Sequence, residues 1–171
     1  LGLGEETGLE IPSKQGALSG PARSETLGST WFQGNVVQAA IGQMDTSVTP
    51  LQLAIQAMTL ANKGTRYKAH IIKEIRSYDD KEVLSSTEPE IASQFEIHPQ
   101  NYQAIVDGMI GAAEKVGGAY SLSNLGYQVA IKTGSPQVDN NTTNSAVIGF
   151  APVEAPEIAI GVMLEEGENA C

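Results

Sequence analysis

Residues 128–137 place an apolar run directly before side chains that can do chemistry. They read QVAIKTGSPQ, so a lysine, two hydroxyl residues and a glycine follow the run. This pattern predicts a β-strand whose end presents polar groups to a cleft. The letters K-T-G alone would occur by chance in roughly a few per cent of chains of this length, so the motif needs support from the rest of the chain.

Each residue type in this stretch suits a different task in a site that binds an anion. Lys132 supplies a positive charge, and it can relay protons if burial or a neighbouring cation lowers its pKa. The hydroxyls of Thr133 and Ser135 can donate hydrogen bonds, and the backbone N–H of Ser135 can face a developing oxyanion. Gly134 lets a substrate approach the strand closely, and Gln137 is a weaker candidate for a substrate contact. The alternative is an ordinary strand end.

Length and composition indicate one globular domain. The chain has 171 residues, of which 41% are hydrophobic and 18% are charged, and its net charge is −10. This charge argues against nucleic acid as a partner and disfavours binding to an anionic membrane surface. Cys171 has no second cysteine to pair with, and His70 and His98 are far apart in sequence. We therefore expect no disulfide, no metal site and no cofactor.

Two strong helix patterns precede the K-T-G stretch. Thr49, Pro50 and Gln52 form a capping box with proline at the first helical position, and apolar residues then continue at helical spacing to Gly64. The second pattern begins near Pro99 and is ended by the glycines at 117–118. Its apolar stripe consists of Tyr102, Ile105, Val106, Met109, Ile110, Ala113 and Val116.

The remaining elements are predicted to be strands and loops. Residues 70–84 predict a hairpin with a turn at 79–80, and residues 85–96 predict a polar linker. Three strands are predicted at 127–135, 146–151 and 157–164, with a polar turn at 136–144, and their short connections favour antiparallel pairing. These strands are apolar at nearly every position. We therefore expect an α+β fold in which the two helices cover both faces of an antiparallel sheet, with residues 1–30 as structured loop and residues 36–44 of uncertain type.

In this order, the motifs of the chain resemble the C-terminal half of the transpeptidase domain of a class B penicillin-binding protein. The resemblance covers nearly the whole chain. Its motifs are LGLGEETGLEIP at 1–12, AIGQ at 40–43, VTPLQLA at 48–54, ANKG at 61–64, KTGSPQ at 132–137, IGFAP at 148–152 and PEIA at 156–159. The resemblance implies an incomplete β-lactamase/transpeptidase-like fold, with residues 1–171 as the C-terminal portion of one domain.

The same resemblance implies acyl transfer by a serine nucleophile, which cross-links peptidoglycan stem peptides and is blocked by β-lactams. In that chemistry Lys132 is catalytic, and the substrate-binding residues are Thr133, Gly134, Ser135 and Gln137. They would hold the terminal D-Ala carboxylate and the oxyanion, with no metal and no cofactor. The expected partners are stem peptides, β-lactams, the N-terminal half of the same domain, and proteins of cell-wall elongation or division. The implied location is the extracytoplasmic face of a bacterial membrane, with an N-terminal anchor helix outside this chain.

The sequence departs from the family pattern in several places. It contains neither S-x-x-K nor S-x-N, so we expect the nucleophile upstream of Leu1 and no catalysis by this piece alone. The family's final helix is also missing. Pro136 stands where the family has a small residue, and it removes one N–H; since N–H groups alternate along a strand, the oxyanion donor at Ser135 could survive this loss. Residues 146–148 replace a frequent aromatic pair.

Two further readings of the chain remain open. One is a sensor with the same fold that is acylated by β-lactams and then signals. The other is a non-catalytic relative that binds wall peptides or partner proteins. The sequence upstream of Leu1 would discriminate among the three.

Overall fold

The computed structural model describes residues 1–116, 121–138 and 142–167. The predictions for the glycines at 117–118, the turn residues 139–141 and Cys171 lie outside these ranges. In chain order the helices are α1 (Pro21–Thr26), α2 (Gln33–Ala40), α3 (Pro50–Ala61) and α4 (Pro99–Lys115). The strands are β1 (Thr65–Tyr67), β2 (Glu74–Arg76), β3 (Val83–Ser86), β4 (Ile91–Gln94), β5 (Ala130–Gly134), β6 (Ser145–Ala151) and β7 (Ile158–Leu164).

The three C-terminal strands form one antiparallel sheet in the order β5-β6-β7. The register aligns Lys132 with Ile148 and Ile148 with Gly161, so these three residues form one row across the sheet. The α+β fold class and the three antiparallel strands are confirmed. The first strand is shorter than predicted, since it begins at Ala130.

The predicted capping box begins α3. The Thr49 hydroxyl accepts from the Gln52 backbone N–H at 3.2 Å, and the Thr49 N–H donates to the Gln52 side-chain oxygen at 3.0 Å. The helix ends at Ala61 in a Schellman arrangement, in which the Gly64 N–H donates to the Thr59 carbonyl at 2.8 Å. Lys63, at φ 52°, adopts the left-handed conformation that usually falls to glycine.

The core lies between α4 and the sheet. Val106 and Met109 of α4 pack with Ala130 of β5 and Phe150 of β6, and all four are buried. Leu60, Ala61, Tyr102, Ile110, Val153 and Ala159 surround this cluster. The predicted stripe of the second helix is confirmed for its buried members, because the spacing of three and four residues places them on one face.

Both helices pack on the same face of the sheet, which differs from the expectation that they cover opposite faces. Ala130, Phe150 and Ala159 share one row and contact the helices, and Gly161 of the same face lies against α3. A strand alternates its side chains, so the neighbouring residues of β7 point to the other face. There Ile158, Ile160, Val162 and Leu164 are 43–64% exposed. An apolar sequence on both faces does not specify which helix covers which face.

The middle of the chain forms two small sheets. β2 and β3 pair as the predicted hairpin, and the turn includes Asp80 at φ 57°. The prediction of a linker at 85–96 is wrong in part, because β4 lies there and pairs with β1. These strands are short and polar, so they lack the alternation by which a strand is recognised. Within the described ranges, no helix is long and apolar enough to cross a bilayer.

Gly161 allows the backbone of α3 to touch the sheet, and this contact generates a stability prediction. A Cβ at this position would lie 2.5 Å from both the Pro50 carbonyl oxygen and the Ala54 nitrogen. Gly161→Ala should therefore lower the free energy of unfolding by about 2–3 kcal/mol through overpacking. Urea unfolding of the full-length protein, followed by circular dichroism, measures the change.

The matched control is Gly108→Ala in α4, where an added Cβ meets nothing within 4 Å. This change should raise the free energy of unfolding by up to about 1 kcal/mol, because alanine favours a helix. Equal effects of the two substitutions would contradict the close contact at Gly161.

Candidate active site

β5 carries the predicted site residues from the core into solvent. Ala130 and Ile131 are buried, Lys132 and Gly134 are exposed, and Thr133 is half-buried. The strand therefore has an anchored apolar end and an accessible polar end. A rigid strand that presents side chains at its end holds them more accurately than a loop would.

The register of β5 separates Lys132 and Thr133 onto opposite faces. Lys132 lies opposite Ile148 on the helix-covered face, and its ammonium group donates to the backbone carbonyl of Thr133. Thr133 lies opposite Val147. The Lys132 ammonium group thus lies at the end of the strand, next to the residues predicted to bind an anion.

Gly134 has no internal packing reason to be glycine. Its φ lies outside the left-handed region, and an added Cβ would meet only the Ala146 Cβ, at 4.0 Å. The described part of the protein therefore leaves open space beside the strand at this position. This is the arrangement expected where an external molecule approaches a backbone closely.

The chain keeps its antiparallel register beyond β5. The Asn144 N–H donates to the Pro136 carbonyl at 3.0 Å, Gln137 bridges to Thr143, and the Val138 N–H donates to the Thr142 carbonyl at 3.0 Å. The backbone groups of residue 136 therefore face the β6 side.

This register explains how the chain accommodates a proline beside the site. A residue facing β6 would normally exchange two hydrogen bonds with its partner Asn144, and Pro136 makes only the bond to its carbonyl. Because N–H groups alternate along a strand, the Ser135 N–H is directed to the opposite edge of β5, which is an outer edge of the three-stranded sheet. The geometry supports the hypothesis that proline removes a ladder bond and leaves the direction of the Ser135 donor unchanged.

The structure thus brings residues 132–135 and 137 together along one strand end, with residues 146–148 of β6 beside them. Other serines serve local structure. The Ser121 hydroxyl caps the 3-10 turn Leu122–Leu125, and the Ser145 hydroxyl donates to the Gly167 carbonyl at 3.0 Å. Among the described residues, no three His, Cys, Asp or Glu side chains are grouped so that they could hold a metal ion.

Sequence reasoning did not predict that Gln52 and Arg66 hold the N-terminal segment. Both residues lie away from the strand end. Both are at most 9% exposed and hydrogen-bonded to the N-terminal segment. The capping box identified Gln52 as part of a helix start. A glutamine within a mostly apolar helix was the signal that its amide has a further partner.

Comparison with known proteins identifies the family. Residues 1–170 match the family described as "Penicillin binding protein transpeptidase domain". The chain belongs to the penicillin-binding protein transpeptidases. Its relatives place it in class B of that family.

Two relatives and one solved structure illustrate the similarity. Penicillin-binding protein 2A of Bacillus subtilis is 31% identical over 96% of this chain and 24% of its own length. The peptidoglycan D,D-transpeptidase MrdA of Acinetobacter baumannii is 28% identical over 99% of this chain and 27% of its own length. The imipenem acyl-enzyme complex of penicillin-binding protein A from M. tuberculosis superposes with a TM-score of 0.72 at 26% identity, covering 96% of this chain and 36% of that one. This penicillin-binding protein chain therefore spans about a quarter of the length of these curated relatives.

The register at Pro136 generates a prediction for this transpeptidase strand. In Pro136→Ala the new N–H faces the Asn144 carbonyl and should complete the pair. Hydrogen–deuterium exchange with mass spectrometry should then show one additional slowly exchanging amide in the peptide spanning 134–138. The free energy of unfolding should change by less than about 1 kcal/mol, because the gained hydrogen bond is offset by the greater freedom of the unfolded chain.

Fast exchange of the new amide at 136, with the rest of the peptide unchanged, would contradict the proposed register. It would mean that residue 136 faces away from β6, and that the Ser135 N–H faces towards it.

Proposed function

We propose that the full-length protein is a peptidoglycan D,D-transpeptidase that works through an acyl-serine intermediate and is acylated by β-lactams. The observation that supports this most strongly is the solvent-accessible K-T-G end of β5, followed by the exposed Ser135, on a chain that belongs to this family. The MrdA relative is a peptidoglycan D,D-transpeptidase, and the M. tuberculosis structure is an imipenem acyl-enzyme complex; both support the same chemistry. In this proposal the serine nucleophile lies in a segment that precedes residue 1.

The β5 end would supply one wall of the cleft. The serine oxygen attacks the carbonyl between two D-alanines, the terminal D-alanine leaves with a proton, and an amine of a second stem peptide then attacks the ester and restores the serine. Lys132 attracts the terminal carboxylate, and the hydroxyls of Thr133 and Ser135 donate hydrogen bonds to it. Gln137 contacts the peptide beyond the carboxylate.

The Ser135 N–H would stabilise the transition state. The carbonyl oxygen of the attacked peptide becomes negative as the tetrahedral intermediate forms, and an N–H fixed by a strand loses little energy in reorienting towards it. Gly134 keeps the path to this N–H open, because it has no side chain beside the incoming backbone. The register that directs the N–H to the outer edge of β5 supports this assignment.

We further propose that this wall acts outside the cell membrane, where peptidoglycan is cross-linked, with an anchor segment beyond this chain. Proteins of cell-wall elongation or division are the expected partners. A net charge of −10 is compatible with a small peptide substrate and with aqueous surroundings.

Labelling of the full-length protein with a fluorescent penicillin tests the proposal. The wild type should form one covalent adduct that survives denaturing electrophoresis. Lys132→Ala should lower the acylation rate by about 10²–10⁴-fold, which is the usual cost of losing a charge or proton-transfer group at a reacting centre. Lys73→Ala, in an exposed position before β2, is the matched control and should acylate at the wild-type rate.

Absence of any adduct on the folded wild type would reject the transpeptidase function and leave the non-catalytic, peptide-binding alternative. An adduct with normal acylation but no cross-linking of stem peptides would favour the sensor alternative. Equal acylation rates of the Lys132 and Lys73 variants would show that Lys132 has no catalytic role.

A second prediction concerns residues 1–171 expressed alone. This chain contains no S-x-x-K motif, so it should form no acyl-enzyme even at saturating fluorescent penicillin. Intact mass spectrometry after incubation measures the adduct, and the full-length protein is the positive control. Stoichiometric labelling of the isolated chain would show that a serine within it is the nucleophile.

A further inference from the structure

The N-terminal segment of the chain, residues 1–20, is fastened to the first turn of α3 by one buried amide. We call this segment the strap. The Gln52 side-chain nitrogen donates to the carbonyls of Glu5 at 2.8 Å and Gln15 at 2.7 Å, while its oxygen accepts from the Thr49 N–H at 3.0 Å. The side chain of Gln52 is fully buried. A single side-chain amide therefore forms hydrogen bonds with two backbone carbonyls of the strap and one backbone N–H of the helix cap.

Arg66 of β1 provides a second attachment. Its guanidinium donates to the Glu5 carboxylate at 2.6 Å and to the Ser93 hydroxyl of β4 at 2.9 Å, and Arg66 itself is only 9% exposed. Gly2, at φ 81°, lies against Arg66, where an added Cβ would be 3.0 Å from the arginine side chain. The start of the strap is thus held on two sides.

Further contacts run along the strap. Ala17 and Ser47 exchange two backbone hydrogen bonds, at 2.7 and 2.8 Å. The Glu10 carboxylate accepts from the N–H groups of Ile71 and Ile72; its own backbone N–H and these donors hold the pKa of Glu10 below its usual value. Glu10, Ile71, Ile72 and Ser47 are exposed, whereas the Gln52 side chain is fully buried.

The same turn of α3 touches the sheet in the row that contains Lys132. The Pro50 carbonyl oxygen and the Ala54 nitrogen lie against Gly161, and Gly161, Ile148 and Lys132 are aligned across three strands. Neighbouring strands are about 4.8 Å apart, so about 10 Å of sheet separates Gly161 from Lys132. One helical turn and one row of the sheet therefore connect the strap to the strand end.

We propose that Gln52 is a positioning residue for the acyl-transfer site, because it fixes the strap at a set distance from the Lys132 row. This inference rests on the proposed function. The proposed function assigns the nucleophile to a segment that precedes residue 1, and the strap would join that segment to the rest of the domain. An error of about 1 Å in the placement of a reacting group can lower a rate by about 10²-fold. Gln52 would thus act on the reaction without touching substrate.

Two substitutions distinguish the effect of the Gln52 contact with the strap from the effect of the helix cap. In Gln52→Glu the side chain keeps an oxygen that can accept from the Thr49 N–H. It cannot serve both strap carbonyls, because a carboxylate donates no hydrogen bond and a protonated carboxyl donates only one. Thr49→Ala removes the hydroxyl that accepts from the Gln52 backbone, and it leaves the amide of Gln52 in contact with Glu5 and Gln15. The first change removes at least one of the two Gln52 hydrogen bonds to the strap, and the second weakens only the cap.

The experiment measures acylation of the full-length protein by a fluorescent penicillin in stopped flow, with rates normalised to the folded fraction. Gln52→Glu should lower the acylation rate constant by at least 10-fold, while the dissociation constant of the initial complex changes by less than about threefold. Thr49→Ala should lower the melting temperature and acylate at the wild-type rate. Glu5→Gln, at the 59% exposed partner of Arg66, is a milder release of the same strap. It should lower the rate by about 2–5-fold even if Gln52→Glu fails to fold.

Normal acylation of folded Gln52→Glu, or of Glu5→Gln where Gln52→Glu does not fold, would overturn the positioning role. A loss of rate in Thr49→Ala equal to that in Gln52→Glu would also overturn it, since helix stability alone would then explain the effect. If the folded wild type shows no acylation, the proposed function itself fails, and the role of Gln52 in the reaction fails with it.

Discussion

The backbone contact between the first turn of α3 and Gly161 determines how the rest of the structure is arranged. No side chain separates helix from strand there, since any Cβ would lie within 2.5 Å of backbone atoms. The helix is therefore held at a fixed depth on β7. The same turn presents the buried amide of Gln52 to the strap, and a buried amide is costly to leave without partners. One turn of helix thus positions both a long irregular segment and a sheet.

The candidate site lies where β5 extends from the buried core into solvent. Burial of Ala130 and Phe150 under α4 anchors one end of β5, and the strand then extends past the helices until Lys132 and Gly134 are exposed. Continued pairing beyond the strand fixes the direction of the backbone as far as Val138. The polar groups at residues 132–135 are consequently oriented by the core and lie at the solvent-accessible end of the strand.

The sequence predicted those features that rest on local rules. The capping box at Thr49 and Gln52, the stripe of α4 and the apolar runs of β6 and β7 each follow from spacing and residue type alone. The placement of both helices on one face could not be predicted, because strands that are apolar on both faces fit either arrangement. The buried amide of Gln52 could not be assigned to the strap, since its acceptors are backbone carbonyls 37 and 47 residues away. Backbone carbonyls occur at every residue, so the sequence does not mark these two.

We propose that the end of β5 is one wall of an acyl-transfer site whose nucleophile comes from a preceding segment. A crystal structure of the full-length protein acylated by a penicillin tests this proposal. It should show the carboxylate of the bound drug within hydrogen-bond distance of the hydroxyls of Thr133 and Ser135, and the acyl oxygen within about 3 Å of the Ser135 N–H. An acylated serine whose adduct contacts no residue between 132 and 137 would show that the end of β5 is not a wall of the acyl-transfer site.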